Sequence, residues 1–403
     1  MTTDLARPAS SLDLKLEQSL QVLESQGLLR SLRRVDHRSG AMIQIGAKSY
    51  VDFASNDYLG LAGDARIASA AADALLTHGT GAAASRSISG NHALHEQLEA
   101  RLASFKGTEA ALLFTSGYAA NLGAIPALVG KGDVIYADKL NHASLIDGCR
   151  LSRADVRVFP HRDIAALREM LAADAGVNRK MIVVDSVFSM DADLFPLDEL
   201  ADVAEESGAW TYVDDAHATG VLGANGTGSV ERFGVEGRID IVMGTLGKAL
   251  GTTGAFIAGS KTLVQFLLNR ARSFVFTTAS PPAIAAGTIE AIRIVQDEPW
   301  RREKLRANAE RLRSALTDLV PESCFERNSS PHILPVVVGS SARVMQVGAE
   351  LQSRGFIVGA VRPPTVPPGT SRLRIASSAA HTEEQVDALA GHLTRILRDT
   401  SIV

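Results

Sequence analysis

Lys248, in Gly244-Thr245-Leu246-Gly247-Lys248-Ala249-Leu250-Gly251, and Asp214 with His217, in Thr211-Tyr212-Val213-Asp214-Asp215-Ala216-His217, are the residues best suited to chemistry. Each group follows a short apolar run of strand character, Ile239–Met243 before the lysine and Trp210–Val213 before the acid. Side chains that leave a strand in this way reach the carboxyl edge of a parallel sheet, where open α/β folds bind ligands. Desolvation there disfavours an ammonium and yields a neutral amine able to form an imine. A buried carboxylate needs a partner. A protonated pyridine nitrogen is such a partner, and the pairing keeps the ring an electron sink. Lysine and acid together therefore suit pyridoxal 5′-phosphate. The plainer alternatives are a surface lysine in a glycine-rich loop and a structural pair of aspartates. A Walker A loop is excluded, because GxxxxGK[ST] is not satisfied.

Other residues fit around this pair. Asp215 should face away from Asp214, as strand side chains alternate, and serve as a helix cap. Ser189 leaves another apolar run, Met181–Val184, and with His217 suits a phenolic oxygen. His142, in Asn141-His142-Ala143-Ser144, offers an imidazole face for stacking on a flat ring; the competing reading is a helix start capped by Asn141 or Ser144. In Phe114-Thr115-Ser116-Gly117-Tyr118-Ala119-Ala120-Asn121 a strand ends and a helix begins at a glycine, which makes an anion site for a phosphate. Thr245 can add a hydroxyl to it. Arg372 and Arg374 share one face of a short strand, where an arginine can clamp a carboxylate. No histidine set has metal-ligand spacing, so no metal is expected, and neither GxGxxG nor GxSxG occurs.

These side chains need a sheet to carry them. Strands are expected at Ser49–Phe53, Ala111–Phe114, Val134–Tyr136, Val156–Phe159, Met181–Val184, Thr211–Val213, Ile239–Met243 and Ala255–Ala258. Helical patterns at Ile67–Leu76, Leu94–Phe105, Ala119–Leu128, Ile164–Ala173 and Leu197–Ser207 lie between them. That alternation predicts βαβ crossovers and a mostly parallel α/β sheet. Leu12, Leu16, Leu20 and Leu23 predict a helical arm from Leu12 to about Arg34. Pro281-Pro282 opens one long helical pattern running through Arg301–Leu319; Ile333–Val338, Ala342–Arg354, Phe356–Val358, Leu373–Ile375 and Thr382–Arg398 then give a smaller α+β region. The expected division is a helical arm at 1–45, a large cofactor-binding domain at 46–285 and a C-terminal small domain at 286–403.

The 403 residues, 46% hydrophobic and 21% charged, have the composition of an ordinary soluble enzyme. A net charge of −4 gives no footprint for nucleic acid. Cys149 and Cys324 form no CxxC pair and are expected to be reduced. The start has no apolar h-region and no run reaches membrane-span length, so a cytoplasmic protein with no membrane partner is expected.

The chain resembles the α-oxoamine synthases, fold-type I pyridoxal-phosphate enzymes, over nearly its whole length. The matching segments are Asn56–Gly60, Ser89–Asn91, Ser116–Asn121, Asn141–Ser144, Val187–Asp191, Asp214–His217, Thr245–Lys248, Phe276–Ala279 and Arg372–Arg374. Ala192 and Ala218 stand where that family usually has glycine. The resemblance implies an aspartate-aminotransferase-like fold, with Lys248 as the Schiff-base lysine and acid/base, and Asp214 on the pyridine nitrogen. Ser189 and His217 would bind the phenolic oxygen, and His142 would stack on the ring. Gly117, Tyr118 and Thr245 would surround the phosphate, with Thr277 or Thr278 reaching in from a second subunit of a homodimer. Arg374 would hold the amino-acid carboxylate, and Asn56, Arg30 and Thr365 match substrate-contact positions. Asp214–His217 and Arg362–Pro367 are most similar to the branch that joins L-alanine to a pimeloyl thioester in biotin synthesis. The rivals are a relative using glycine or serine with another acyl-CoA, a silent scaffold subunit, and an NAD-dependent dehydrogenase lacking its glycine fingerprint.

Overall fold

A computed structural model describes residues 10–174, 176–319 and 329–399; Cys324 lies outside them. Its centre is a seven-stranded sheet: β1 (Ala110–Phe114), β2 (Val134–Asp138), β3 (Asp155–Phe159), β4 (Lys180–Asp185), β5 (Trp210–Asp214), β6 (Ile241–Thr245) and β7 (Ala255–Gly259), in the order β1-β7-β6-β5-β4-β2-β3. Strands β2 to β6 pair in parallel, and β7 is antiparallel to both β6 and β1. The register sets Asp185 beside Asp214 and Asp214 beside Met243. Polar strand ends therefore line up along one carboxyl edge.

Burial on both faces explains the near-continuous apolar strands. In β4, Met181 and Val183 pack with the helices Gly117–Leu128 and Ala143–Ser152, whereas Ile182 and Val184 pack against the opposite layer with Leu197, Leu200 and Val203. Each such fully buried side chain is worth about 1.5–3 kcal/mol. The same alternation puts Asp214 on the Tyr212 face of β5 and Asp215 on the other.

The C-terminal region builds a three-stranded sheet from Ile333–Gly339, Ser371–Ala376 and Gly359–Val361. The strand Lys48–Asp52 joins this half of the molecule, because Phe356 pairs in parallel with Val51 and both share a core with Phe53, Leu373 and Leu393. Position 285 falls inside the helix Pro282–Asp297, whose Ala285, Ala291 and Ile292 pack with Tyr58, Leu98 and Phe256.

Three sequence expectations are corrected. The arm is helical only over Ser11–Ser25, not to Arg34, and His37–Ser39 and Met42–Ile45 form a hairpin. Gly27, at φ 65°, ends the helix: Leu28 N–H donates to Leu23 O at 2.8 Å and Gly27 N–H to Glu24 O at 2.9 Å. The long pattern after Pro281 is two helices, Pro282–Asp297 and Trp300–Ala315, parted at Pro299, which has no N–H to continue the ladder. The strand before Lys248 is Ile241–Thr245 rather than Ile239–Met243. Asp240 instead braces the entry to β5, accepting from Thr211 N at 2.8 Å and Thr211 Oγ1 at 3.0 Å. No helix among the described residues is long and apolar enough to cross a membrane.

Candidate active site

Two hydrogen-bonded chains meet at the carboxyl edge. The first starts at Lys248, three residues beyond β6. Its Nζ lies 2.8 Å from His217 Nε2, and His217 Nδ1 lies 2.6 Å from the Tyr58 hydroxyl. Tyr58 donates to Asn56 Oδ1 at 3.0 Å and accepts from Arg374 Nη2 at 3.2 Å. Arg374 Nε donates to the Ser189 carbonyl at 2.6 Å. One assignment of protons satisfies this chain: Lys248 donates to Nε2, and Nδ1–H donates to Tyr58.

Burial lowers the pKa of Lys248 to about 8, with Arg374 pushing the same way and Asp214 opposing. Burial also drives His217 well below the usual histidine range, helped by the charges of Lys248 and Arg374. The imidazole is therefore neutral. Behind it, the edge of the buried His332 ring meets Tyr58 at 4.3 Å.

The second chain holds Asp214. Asn121, one turn into the helix Gly117–Leu128, donates to Asp214 Oδ2 at 2.9 Å and to Ser144 Oγ at 2.8 Å, and accepts from Tyr212 at 2.7 Å. Ala216 N–H donates to Asp214 Oδ1 at 3.0 Å. Ser144 Oγ in turn lies 2.8 Å from His142 Nδ1. Burial raises the pKa of Asp214, against the pull of Lys248 and Asn121. Burial and then the charge of Asp214 push Asp185 well above the carboxylate range.

His142 is itself the N-cap of Ala143–Ser152, its Nδ1 accepting from Ser144 N at 3.3 Å, so neither Asn141 nor Ser144 is the cap. Capping fixes the ring on a residue that remains exposed. Asp215 turns the other way as expected. It pairs with the buried Lys106 at 2.8 Å and accepts from Ser229 N at 3.1 Å, at the start of Ser229–Phe233.

A second corner presents groups suited to an anion. Ser116 caps Gly117–Leu128, accepting from Ala119 N at 3.1 Å, and a Cβ on Gly117 would stand 3.0 Å from Thr245 Cγ2. The Thr245 hydroxyl beside it is buried with no hydrogen-bond partner among the described residues. Such an orphan calls for a ligand or water. The Tyr118 side chain is turned outward onto Asp147, so only its backbone serves this corner.

The substrate-side residues divide. Arg374 and Asn56 belong to the Lys248 chain. Ser189 enters through its carbonyl. Arg30 Nη2 lies 3.4 Å from Thr365 Oγ1, and both line an adjoining cavity of about 740 Å³ with Arg33, Arg362, Ala54 and Val358. Among the described residues, three guanidinium groups and no carboxylate line that space, over an apolar floor. Thr277 and Thr278 are not brought to the Lys248 cleft; Thr278 is exposed beside Phe276, itself 73% exposed. Sequence reasoning missed Tyr58, Asn121 and His332 as site residues, although the first two stood inside the quoted motifs Asn56–Gly60 and Ser116–Asn121.

The sequence profile of the aminotransferase class I and II family matches residues 48–393. The chain is 49% identical over 380 residues to an 8-amino-7-oxononanoate synthase of Anaeromyxobacter dehalogenans, covering 94% of each chain. It is 48% identical over 385 residues to one of Geobacter sulfurreducens, covering 95% of this chain and 98% of that one. A variant serine palmitoyltransferase from S. paucimobilis, solved with a PLP–myriocin aldimine bound, superposes with a TM-score of 0.90 at 30% identity, over 98% of this chain and 100% of that one. An 8-amino-7-oxononanoate synthase from Francisella tularensis superposes at 0.74 and 28% identity, over 87% and 98%. The architecture is that of the fold-type I transferases.

Proposed function

Because this chain belongs to the aminotransferase class I and II family, we propose that its cleft binds pyridoxal 5′-phosphate and that it works as an 8-amino-7-oxononanoate synthase. It would condense L-alanine with a pimeloyl thioester, on CoA or a carrier protein, to give 8-amino-7-oxononanoate, carbon dioxide and free thiol in biotin biosynthesis. One observation carries the reading: Asp214 and Arg374 are buried, opposite in charge, and without an ion-pair partner among the described residues, and Lys248 lies within electrostatic reach of both. Buried charges left unpaired are costly unless a ligand completes them.

The residues fit the cofactor at each end. Asp214 offers an anion for a protonated ring nitrogen. Thr245 and the N–H groups at Gly117 and Tyr118 offer donors for a phosphate. His142 presents a ring face between them. The bound cofactor supplies an electron sink for the pair left when a bond at the amino acid's α-carbon breaks.

The chain's own groups do the rest. With a pKa near 8, roughly a tenth of Lys248 is neutral at pH 7, enough to carry the aldehyde and later to take and return the α-proton. His217, held by Tyr58, keeps an unprotonated acceptor nitrogen at the Lys248 amine. Arg374, oriented by Ser189 and Tyr58, directs its guanidinium at the carboxylate that leaves as carbon dioxide. Arg30 and Thr365 stand over the cavity for the acyl chain, whose entry excludes water. The working form we propose is a cytoplasmic homodimer, in which Thr277 or Thr278 of one subunit reaches the other's phosphate corner.

Steady-state assays pairing alanine, glycine and serine with pimeloyl and other acyl thioesters test the reading. Alanine with a pimeloyl thioester should exceed each other pairing by about a hundredfold. Serine with a long-chain thioester as the best pair would overturn it in favour of the activity named for the S. paucimobilis relative.

A further inference from the structure

We propose that His161 is a positioning residue, a single imidazolium clamping together the two strand-end turns that carry His142 and Ser189. The inference rests on the cofactor reading above. His161 Nδ1 lies 2.9 Å from Asp138 Oδ1 and its Nε2 2.7 Å from Asp193 Oδ2, both acids being largely or fully buried. Asp138 ends β2, and its carboxylate also accepts from Leu140 N and Arg162 N, each at 2.8 Å. It thereby shapes the turn leading into His142. Asp193 closes the other turn: Phe188 N–H donates to Asp193 O at 3.1 Å, and Val187 bridges Leu194. Ser189, inside that turn, holds Arg374. The Phe188 ring stands edge-on to the imidazole at 4.4 Å.

A neutral imidazole has one N–H and would tie only one of these turns; the protonated ring has two and ties both. Among the described residues, the charged groups facing it are Asp138, Asp193 and Arg162, whose Nη1 is 3.4 Å from Asp193 Oδ2. Burial pulls the pKa of His161 down, but its hydrogen bonds to Asp138 and Asp193 outweigh this and raise it to about 9. The folded value is above the unfolded one, so the clamp's contribution is complete below about pH 6.5 and is lost as the pH rises through about 9.

The test is pyridoxal-phosphate titration of cofactor-stripped wild type, His161→Gln and Asp193→Asn between pH 7 and 10, read by absorbance and visible circular dichroism, with melting of the stripped proteins alongside. The wild type should lose affinity across pH 9. At pH 7.5 His161→Gln should bind about tenfold or more weakly, with an altered dichroic band and no limb near pH 9. Asp193→Asn, which removes one acid, should weaken binding and move the limb to lower pH; it decides the matter if His161→Gln does not fold. Variants that melt earlier yet keep the wild-type affinity, band and limb would reduce His161 to a structural brace and overturn the proposal. A wild type that binds no pyridoxal phosphate would sink the cofactor reading first, and the clamp with it.

Discussion

Asp214 and Asp215 are adjacent at the end of β5, and the two sides of the sheet treat them differently. On one side Asp215 meets the Lys106 ammonium at 2.8 Å and hydrogen bonds from Ser186 and Ser229. On the other, Asp214 receives only neutral donors among the described residues, Asn121 and Ala216. The strand Ser371–Ala376 repeats the contrast two residues apart: Arg372 is paired with Asp191, whereas Arg374 faces carbonyl and phenol oxygens. The fold neutralises a buried charge where the charge only holds the molecule together. Where it does not, the missing partner is what the proposed ligand would bring.

Substitutions on the two sides should therefore separate activity from stability. The largest effect belongs to Lys248→Ala, which should lower turnover by about 10⁴-fold or more while leaving the urea midpoint unchanged or raised, since a desolvated amine is removed. Lys106→Met should do the reverse. It leaves the buried Asp215 carboxylate without its cation and should cost about 3–5 kcal/mol of unfolding free energy, measured by urea titration of the cofactor-free protein. If Lys106→Met proved harmless to stability, the two faces would not differ as argued. Next comes Arg374→Ala, expected to raise the KM for alanine about a hundredfold, with Arg374→Lys recovering little because an ammonium lacks the two-pronged geometry. Arg372→Ala should instead appear mainly as lost stability.

The sheet, and the placement of the lysine and the acid at its edge, were legible in the sequence because each depends on local pattern: an apolar run of strand length, then an ionisable residue among small ones. Partners were not, because they come from far along the chain. Arg374 reaches Tyr58 across 316 positions, Asn121 reaches Asp214 across 93, and Lys106 finds Asp215 across 109. Which of two adjacent acids has a cation is a property of layers, invisible to periodicity beyond the statement that they face apart. Helix lengths failed for a local reason, since apolar spacing continues past Gly27 and across Pro299 while the backbone does not.

The unpaired side also predicts a pH dependence. Lys248 reacts with an aldehyde only when unprotonated, and its pKa is lowered to about 8. Stopped-flow capture of pyridoxal phosphate by the cofactor-free protein should therefore speed up nearly tenfold per pH unit up to about pH 8 and then level off. A rise continuing toward pH 10 would mean an amine open to water, and the contrast between the faces would lose its chemical half.

The smallest effect lies between two paired charges. Ala192 has φ 65°, a left-handed conformation that costs a residue with a Cβ about 1–2 kcal/mol. Its neighbours on either side are tied down, Asp191 to Arg372 and Asp193 to His161, so the turn is held from both ends while its middle is strained. Ala192→Gly relieves the strain but gives up a buried methyl worth about 0.8 kcal/mol and adds about 0.5–1 kcal/mol of backbone entropy to the unfolded chain. The terms nearly cancel, so the unfolding free energy should move by less than about 1 kcal/mol in either direction. In the Arg372→Ala background, where one tie is gone and the turn can relax, the same glycine should be less favourable than in the wild type. A double-mutant cycle showing strict additivity would mean that the ion pairs do not hold the strained turn in place.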